Sequence, residues 1–334
     1  MPRVVAAPDK FRGSATAGEI ALAVARAAAA AGWECDRVPV SDGGEGFCEV
    51  LGGRSRLARV HDPLGRPVDA EWRLAEDGRT AVVEMALASG LELVGGPEGN
   101  DPVAASTGGT GELIAAAVKA GARRVLVGVG GSATTDGGLG ALEALEPHSR
   151  LHGVELVVAC DVELTFVQAA PVFAPQKGAS PAQTALLERR LERLAQVYLD
   201  RFAVDVAGLR GSGAAGGLAG GLAALGADLV PGFDVVADTV ELAERMEGAD
   251  LVVTGEGTLD DQSFNGKSVG GVAALAAELG VPILVVAGDA VGNHPVPALT
   301  LVERYGPERA LADPCGCVTD VVLAYLEGSL SVAR

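Results

Sequence analysis

The sequence predicts an α/β protein with parallel β-sheets and two α/β domains. Three observations support this class. Short apolar runs alternate with longer helical patterns along the 334 residues, which is the order of βαβ units. The 47 glycines cluster where an apolar run hands over to a helical pattern. Hydrophobic residues make up 49% and aromatic residues only 4%, so the core is expected to consist mainly of Ala, Val and Leu.

The first elements have the pattern of a βαβ unit. Residues 4–6 form a short apolar strand. Thr16 and Glu19 have the spacing of a capping box, and the Ala-rich helix that follows is expected to end at Gly32. A second strand is predicted near 36–40. Because a crossover helix joins the two strands, they are expected to be parallel.

The later elements continue the alternation. Ser180 is a suitable N-cap and Pro181 a suitable first residue, which makes 181–202 the clearest helix. Strands are predicted at 80–85, 124–129, 154–160, 250–254, 281–287 and 298–302, and further helices at 112–120, 234–247, 268–279 and 318–331.

Two segments predict crossings between domains. Residues 54–77 are rich in charge, Pro and Gly, and a second crossing is placed at 247–250. The predicted domains are 1–61 plus 248–334, an α/β domain with a parallel sheet built from both chain ends, and 62–247, an inserted α/β domain. The active site is expected in the cleft between them.

Charge and composition exclude several classes of protein. The net charge is −18, and the chain has no basic stripe to neutralise nucleic-acid phosphates, so no nucleic-acid partner is expected. No apolar run is long enough for a membrane span. The five cysteines contain no CxxC pair, which predicts a reducing, cytoplasmic location.

Small residues, acids and cations crowd into six loops at strand ends, where open α/β sheets bind ligands. These loops are 7–14, 41–46, 107–111, 128–138, 159–162 together with 175–178, and 254–260 together with 265–268. Lysine is rare, with four residues in the chain, and Lys10, Lys177 and Lys267 all fall in these loops. A compact ammonium suits phosphate as a point charge, so the loops predict a phosphate ligand. No histidine lies in them, so any base is expected to be a carboxylate.

Nine segments, in this order and over nearly the whole chain, carry a family resemblance. They are Ala7–Asp9, Asp42–Gly46, Val83–Ala86 with Ala88–Leu93, Gly109–Leu113, Gly130–Thr134 with Asp136–Gly138, Ala159–Asp161, Pro175–Ala179, Gly213–Gly217 and Thr254–Gly257. The set closely resembles the bacterial glycerate kinase type 1 family. The resemblance implies that the domain built from both chain ends is flavodoxin- or Rossmann-like. It also implies ATP as co-substrate, Mg²⁺ as cofactor, D-glycerate as acceptor and 2-phosphoglycerate as product.

The chain departs from the family pattern in three places. The stretch 139–155 is shorter than in the family, Glu163–Thr165 replaces an Asn-Pro-Leu segment, and Lys10 and Arg12 replace the family's Ser and Lys. The third change leaves the first loop cationic.

We assign roles to the loop residues because phosphoryl transfer depends mainly on positioning and charge neutralisation. The expected catalytic residues are Asp161, Lys177, Asp42, Lys10 and Arg12, with Asp161 and Asp42 also as Mg²⁺ ligands. The expected nucleotide- and substrate-binding residues are Asp9, Glu45, Gly130, Gly131, Ser132, Thr134, Thr135, Asp136, Gly137, Gly216, Gly217, Glu256 and Lys267.

Alternative functions stay open at this point. The short stretch near Pro147 is compatible with a ligand-binding or regulatory family member that has lost catalysis, and the acceptor could be a related hydroxy acid. The Gly130–Gly131 turn also suggests a Rossmann-type oxidoreductase. That fold needs an acid about 20 residues beyond the glycines to bind the ribose of the cofactor, but the acid near this spacing, Glu155, begins a strand instead of ending one. The sequence does not distinguish a monomer from a homodimer.

Overall fold

The computed structural model describes residues 1–261, 263–264, 267–292 and 294–330. The strands are β1 (Arg3–Ala6), β2 (Glu34–Arg37), β3 (Arg54–His61), β4 (Pro67–Leu74), β5 (Thr80–Glu84), β6 (Arg124–Gly128), β7 (Glu155–Ala159), β8 (Asp228–Val230), β9 (Leu251–Thr254), β10 (Thr258–Leu259), β11 (Ile283–Ala287), β12 (Asp289–Ala290) and β13 (Ala298–Thr300). The helices are α1 (Ala17–Ala30), α2 (Phe47–Leu51), α3 (Ala86–Ser89), α4 (Gly96–Gly99), α5 (Gly108–Lys119), α6 (Leu139–Ala144), α7 (Ala169–Phe173), α8 (Pro181–Phe202), α9 (Leu218–Ala224), α10 (Gly232–Thr239), α11 (Leu242–Met246), α12 (Ser268–Leu279), α13 (Leu301–Tyr305), α14 (Pro307–Ala312) and α15 (Pro314–Leu326). Short 3₁₀ helices lie at Glu92–Val94, His148–Leu151, Pro175–Lys177 and Ala214–Gly217. Within the described residues, no helix has the length and apolar character needed to span a membrane.

The chain divides into two compact units. The terminal unit combines Met1–Asp42 with the described part of Phe233–Arg334, and the central unit is Gly43–Gly232. The predicted α/β class with parallel sheets is confirmed. The units differ from the predicted domains at both crossings, because residues 43–61 group with the central unit and residues 233–247 with the terminal unit. The domain division, with an active site between the domains, stays a prediction.

The terminal unit contains a five-stranded sheet in which every pairing is parallel, in the order β13-β11-β9-β1-β2. Numbered within the unit, this is the 2-1-3-4-5 order of flavodoxin-like folds, as predicted from the chain ends. Its strands pack against α1 and α15 in one cluster and against α12 in another. The strand order reverses between β1 and β9, so the switch point that such folds use for ligands lies there.

The predicted helix starts are confirmed at two places. Before α1, the hydroxyl of Thr16 accepts from the Glu19 N–H at 3.2 Å and the Glu19 carboxylate accepts from the Thr16 N–H at 2.9 Å. Ser180 and Gln183 form the same reciprocal pair before α8. Each box satisfies two N–H groups that a helix end otherwise leaves unpaired.

The central unit contains a six-stranded sheet in sequence order from β3 to β8. The β3–β4 and β4–β5 pairs are antiparallel, and β5 to β8 are parallel. Helices α5 and α9 pack on the sheet through Leu113 and Leu218. A second cluster, which includes Phe166 and Tyr198, lies under α8. The carboxyl ends of β5, β6, β7 and β8 therefore meet at one edge.

Three predicted features differ from the structure. The segment 54–77 is not an open crossing but the β3–β4 hairpin, which pairs Arg54 with Leu74 through to His61 with Pro67. The helix predicted at 234–247 is two helices, α10 and α11, because Glu241 takes a left-handed conformation with φ of 54°. The last helix ends at Leu326, and the predicted end at residue 331 lies outside the described residues.

Candidate active site

The 130–138 loop of the central unit follows β6 and surrounds a buried lysine. The Lys177 side chain is 3% exposed. Its Nζ donates to the Ser132 Oγ and to the Thr134 carbonyl, each at 2.7 Å. Burial lowers the pKa of Lys177 to about 7, and the charge of Asp136 opposes this in part. The structure thus brings together three of the predicted site residues around one ammonium group.

The loop also presents donors that the protein does not use. The backbone N–H groups of Gly131, Ser132, Thr134 and Thr135 make no hydrogen bond within the described part of the chain. The side-chain Oγ1 atoms of Thr134 and Thr135 are buried and also lack a described partner. Polar groups that are buried without partners cost free energy unless something binds them. Open N–H groups beside an ammonium are a combination that suits an oxyanion.

The segment that contains Gly216 and Gly217 packs directly on this loop. The N–H of Gly137 donates to the Gly216 carbonyl at 3.0 Å. A Cβ at Gly216 would collide with the Thr134 carbonyl, and the φ of +67° is unfavourable for other residues. The two glycine segments, predicted separately from the sequence, therefore form one structure.

Asp136 holds the loop from inside. Its carboxylate accepts from the N–H and hydroxyl of Thr107, each at 2.8 Å, and from the N–H groups of Gly138 at 3.0 Å and Gly140 at 3.2 Å. Burial raises the pKa of Asp136 despite these bonds. The Tyr198 hydroxyl donates to the Gly137 carbonyl at 2.9 Å. Direct ligand binding by Asp136 stays a prediction, since its described bonds shape the loop.

Two further acids lie at the same strand edge. Asp161 follows β7, and its Oδ1 accepts from the Gly232 N–H at 2.6 Å. Glu84 ends β5, is buried, and accepts from the N–H groups of Gly46 and Cys48 at 3.2 Å each. These bonds fix the turn that carries the exposed Glu45. We did not assign Glu84 to the site, although an acid at the end of a predicted strand was a usable signal.

The 43–46 turn and the 130–138 loop are in close contact. A Cβ at Gly130 would lie 2.5 Å from the Gly44 Cα, so only a residue without a side chain fits there. Glu45 and the predicted site residues that follow β6 and β7 are thereby gathered at one edge of the sheet of the central unit.

The terminal unit gathers a second set of predicted residues at its switch point. Asp9 follows β1, and its N–H donates to the Gly255 carbonyl beyond β9 at 2.9 Å. The Lys10 Nζ lies 3.5 Å from the Asp9 Oδ1 and 3.7 Å from the Asp42 Oδ1. The Ser268 hydroxyl, at the start of α12, donates to the Asp9 Oδ2 at 2.6 Å. We call Asp9, Lys10, Asp42, Glu256 and Ser268 the carboxylate edge.

Burial raises the pKa of two acids in the carboxylate edge. For Asp9, the charge of Asp42 adds to the effect of burial and Lys10 opposes it. For Glu256, burial raises the pKa while Ser263 and Lys267 oppose it. A carboxylate whose pKa is raised by burial accepts a proton more readily than an exposed one. Arg12 is exposed at this edge, and Lys267 precedes α12.

The described residues contain no group of three or more His, Cys, Asp or Glu side chains placed to share a metal ion. Mg²⁺ in nucleotide sites is usually held by only one or two carboxylates together with phosphates. Asp42 and Asp161, each partly exposed at a strand end, are of that type.

Fold and site define an α/β protein with ligand loops at the carboxyl ends of parallel strands. The sequence pattern of the glycerate kinase family matches residues 4–148 and 146–299. The chain belongs to the glycerate kinase family, and the resemblance stated from its motifs is confirmed.

Individual relatives agree with this membership. Glycerate 2-kinase of Escherichia coli K12 is 38% identical over 325 residues, which cover 86% of this chain and 85% of the relative. Glycerate kinase of Bacillus subtilis 168 is 39% identical over 341 residues, 89% of each chain. A solved structure from Salmonella typhimurium LT2, assigned as glycerate kinase 2, is 33% identical with a TM-score of 0.84, and the match covers 98% of this chain and 99% of that one.

Proposed function

We propose that the protein is an ATP-dependent glycerate kinase, which transfers the γ-phosphoryl group of ATP to D-glycerate and releases 2-phosphoglycerate. The observation that carries the proposal is the 130–138 loop, where a buried ammonium adjoins several unused donors. Membership in the glycerate kinase family supplies the acceptor, and the name of the Escherichia coli relative supplies the position of transfer.

The nucleotide phosphates bind in the 130–138 loop. The free N–H groups of Gly131 and Ser132 and the hydroxyls of Thr134 and Thr135 donate to phosphate oxygens. The Lys177 ammonium, held at the base of the loop, supplies positive charge. Because these donors are positioned before the reaction, they can stabilise the charge of the transition state without first rearranging. Gly216 and Gly217 pack against the loop and support its backbone conformation.

Glycerate binds at the carboxylate edge. Lys10, which lies beside Asp9 and Asp42, and Arg12, which is exposed two residues further along the chain, meet the substrate carboxylate and the moving phosphoryl group. Asp9 or Asp42 accepts the proton of the attacking hydroxyl, and burial, which raises the pKa of Asp9, favours this role. Glu256 and Lys267 complete the hydrogen-bonding surface around the acceptor.

Asp42 or Asp161 would hold Mg²⁺, which would supply charge neutralisation on the phosphate oxygens. The chain's own residues orient the two substrates and move the proton. We also propose a cytoplasmic location, because all five cysteines are free thiols, as is usual in reducing compartments.

The test is a coupled assay of ADP release with Mg-ATP and D-glycerate, in which phosphorus NMR identifies the product. We expect turnover that depends on glycerate and a phosphomonoester at the 2-position. A 3-phosphate product would contradict the position of transfer only. A folded protein that binds ATP without turnover of glycerate would instead favour a related hydroxy acid or a family member without catalysis.

A further inference from the structure

Asn100 joins two parts of the candidate nucleotide site that are far apart in sequence. It follows α4, and its side-chain Nδ2 donates to the Ala133 carbonyl at 3.0 Å and to the Lys177 carbonyl at 2.9 Å. An amide nitrogen has two N–H donors, so both are used. One side chain thereby connects the 130–138 loop to the turn that carries Lys177.

The surroundings fix which way this amide points. The Asn100 Oδ1 is buried and has no hydrogen-bond partner within the described residues. Rotating the amide by half a turn would place that oxygen against two carbonyl oxygens, Ala133 O and Lys177 O, and both contacts would become repulsive. The orientation that donates twice is therefore the stable one, although it leaves an acceptor unsatisfied.

Asn100 and Lys177 grip the same short stretch of the loop. The Lys177 ammonium bonds Ser132 and the Thr134 carbonyl, and Asn100 bonds the carbonyl of Ala133 between them. Asn100 also holds the backbone of Lys177 itself. The distance between the ammonium and the open N–H groups of the loop is thus set from both ends of the lysine.

We propose that Asn100 is a positioning residue for nucleotide binding, which aligns the donors of the 130–138 loop with Lys177 without contacting the phosphoryl group. The proposal rests on the proposed function, because it takes this loop as the nucleotide site. Small displacements of positioned groups strongly weaken binding and phosphoryl transfer. Loss of the two Asn100 hydrogen bonds is therefore expected to weaken nucleotide binding and to leave glycerate binding unaffected.

The test compares Asn100→Asp, Asn100→Ala and the control Glu98→Gln. Asn100→Asp keeps the size but removes both donors, and Asn100→Ala removes them without adding charge. Glu98 is exposed on α4, so its variant reports on local charge alone. We expect the KM for ATP to rise about tenfold in both Asn100 variants, and the KM for glycerate to stay within about twofold. Glu98→Gln should match the unsubstituted protein.

A purely structural role would give another pattern. If Asn100 only supported folding, kcat would fall with the folded fraction while both KM values stayed unchanged, and that result would overturn the proposal. Equal rises in both KM values would also overturn it. Calorimetric titration with ADP separates this test from the proposed function. If the protein binds ADP but does not phosphorylate glycerate, weaker ADP binding by both Asn100 variants still supports the positioning role, and unchanged ADP binding refutes it. Failure of the unsubstituted protein to bind ADP overturns both proposals.

Discussion

The carboxylate edge of the terminal unit and the 130–138 loop of the central unit are built in opposite ways. At the carboxylate edge, side chains supply the polar groups. Asp9 and Asp42 face the Lys10 ammonium, and burial raises the pKa of Asp9. In the loop, the backbone supplies most donors and burial lowers the pKa of Lys177 to about 7. The first surface is suited to accepting a proton and the second to holding an anion.

The same cause, removal of water, produces both effects. Burial disfavours the charged form of any group, so it makes an acid hold its proton and a lysine lose one. One physical effect can thus prepare the carboxylate edge and the 130–138 loop for different tasks. The predictions below test whether the two surfaces are as distinct as this comparison requires.

The largest effect is expected for Lys177→Met. This change removes the only described cation that bonds the 130–138 loop, and we expect kcat/KM for ATP to fall about 1,000-fold. The fold should survive, because a buried ammonium is replaced by an apolar side chain of similar length. Steady-state kinetics provide the measurement, with exposed Lys119→Met on α5 as control. A loss below about tenfold in a folded variant would remove Lys177 from the mechanism.

Gly216→Ala tests the support of the loop through stability. The added Cβ would strike the Thr134 carbonyl at a φ of +67°, and we expect the free energy of unfolding to fall by about 3 kcal/mol. Gly226→Ala is the matched control, since its φ is +92° and its Cβ would meet nothing within 4 Å. The control should lose about 1 kcal/mol from backbone strain alone. If urea unfolding shows the same loss of free energy of unfolding in both variants, the Thr134 carbonyl moves away from the added Cβ at little cost.

Asp9→Asn tests the carboxylate edge. The amide keeps the size of the side chain but cannot take up a proton, so we expect kcat to fall about 100-fold. The KM for ATP should stay within about twofold, because no nucleotide group is assigned to Asp9. The exposed Asp238→Asn on α10 is the control. A rise in the KM for ATP without loss of kcat would mean that the two surfaces do not have separate tasks.

The smallest effect, taken per pH unit, is a dependence of the free energy of unfolding on pH through Lys177. Below about pH 7 the side chain holds its proton in both the folded and the unfolded protein. Between about 7 and the ordinary value of 10.5, only the unfolded chain holds it. The free energy of unfolding therefore rises with pH in this window, by up to about 1.4 kcal/mol per pH unit from this group. Urea unfolding at several pH values, compared with Lys177→Met, isolates the contribution. Parallel curves would contradict it.

Local signals predicted most of the sheet-forming segments. Short apolar runs identified β1, β5, β6, β7, β9 and β11, because a parallel strand that is buried on both faces is apolar almost throughout. The β3–β4 hairpin was missed because β3 is mostly exposed and contains three arginines among its eight residues, so its apolar pattern is weak. The break at Glu241 has no sequence signal, since a non-glycine residue rarely adopts a left-handed conformation.

The sequence predicted the site better in its loops than in their supports. Lys177, Ser132 and Gly216 carry recognisable chemistry, and the structure brings them together. Asn100 and Glu84 act through bonds to backbone groups 33 to 77 and 36 to 38 positions away. Which carbonyl or N–H group they reach depends on how the strands and turns pack, and no local pattern encodes that.

The position of β1 has a consequence for the order in which the protein can be made. This strand precedes the other four strands of its sheet in the sequence, yet it lies in the interior of the sheet between β2 and β9, and Arg3 bonds Asp250 and the carbonyl of Arg245. On the ribosome, β1 must therefore wait beside an unfilled edge until β9, which begins about 245 residues later, has emerged. Unpaired strand edges of this kind promote aggregation, so nascent chains that stall before residue 251 should be the ones that most need a chaperone.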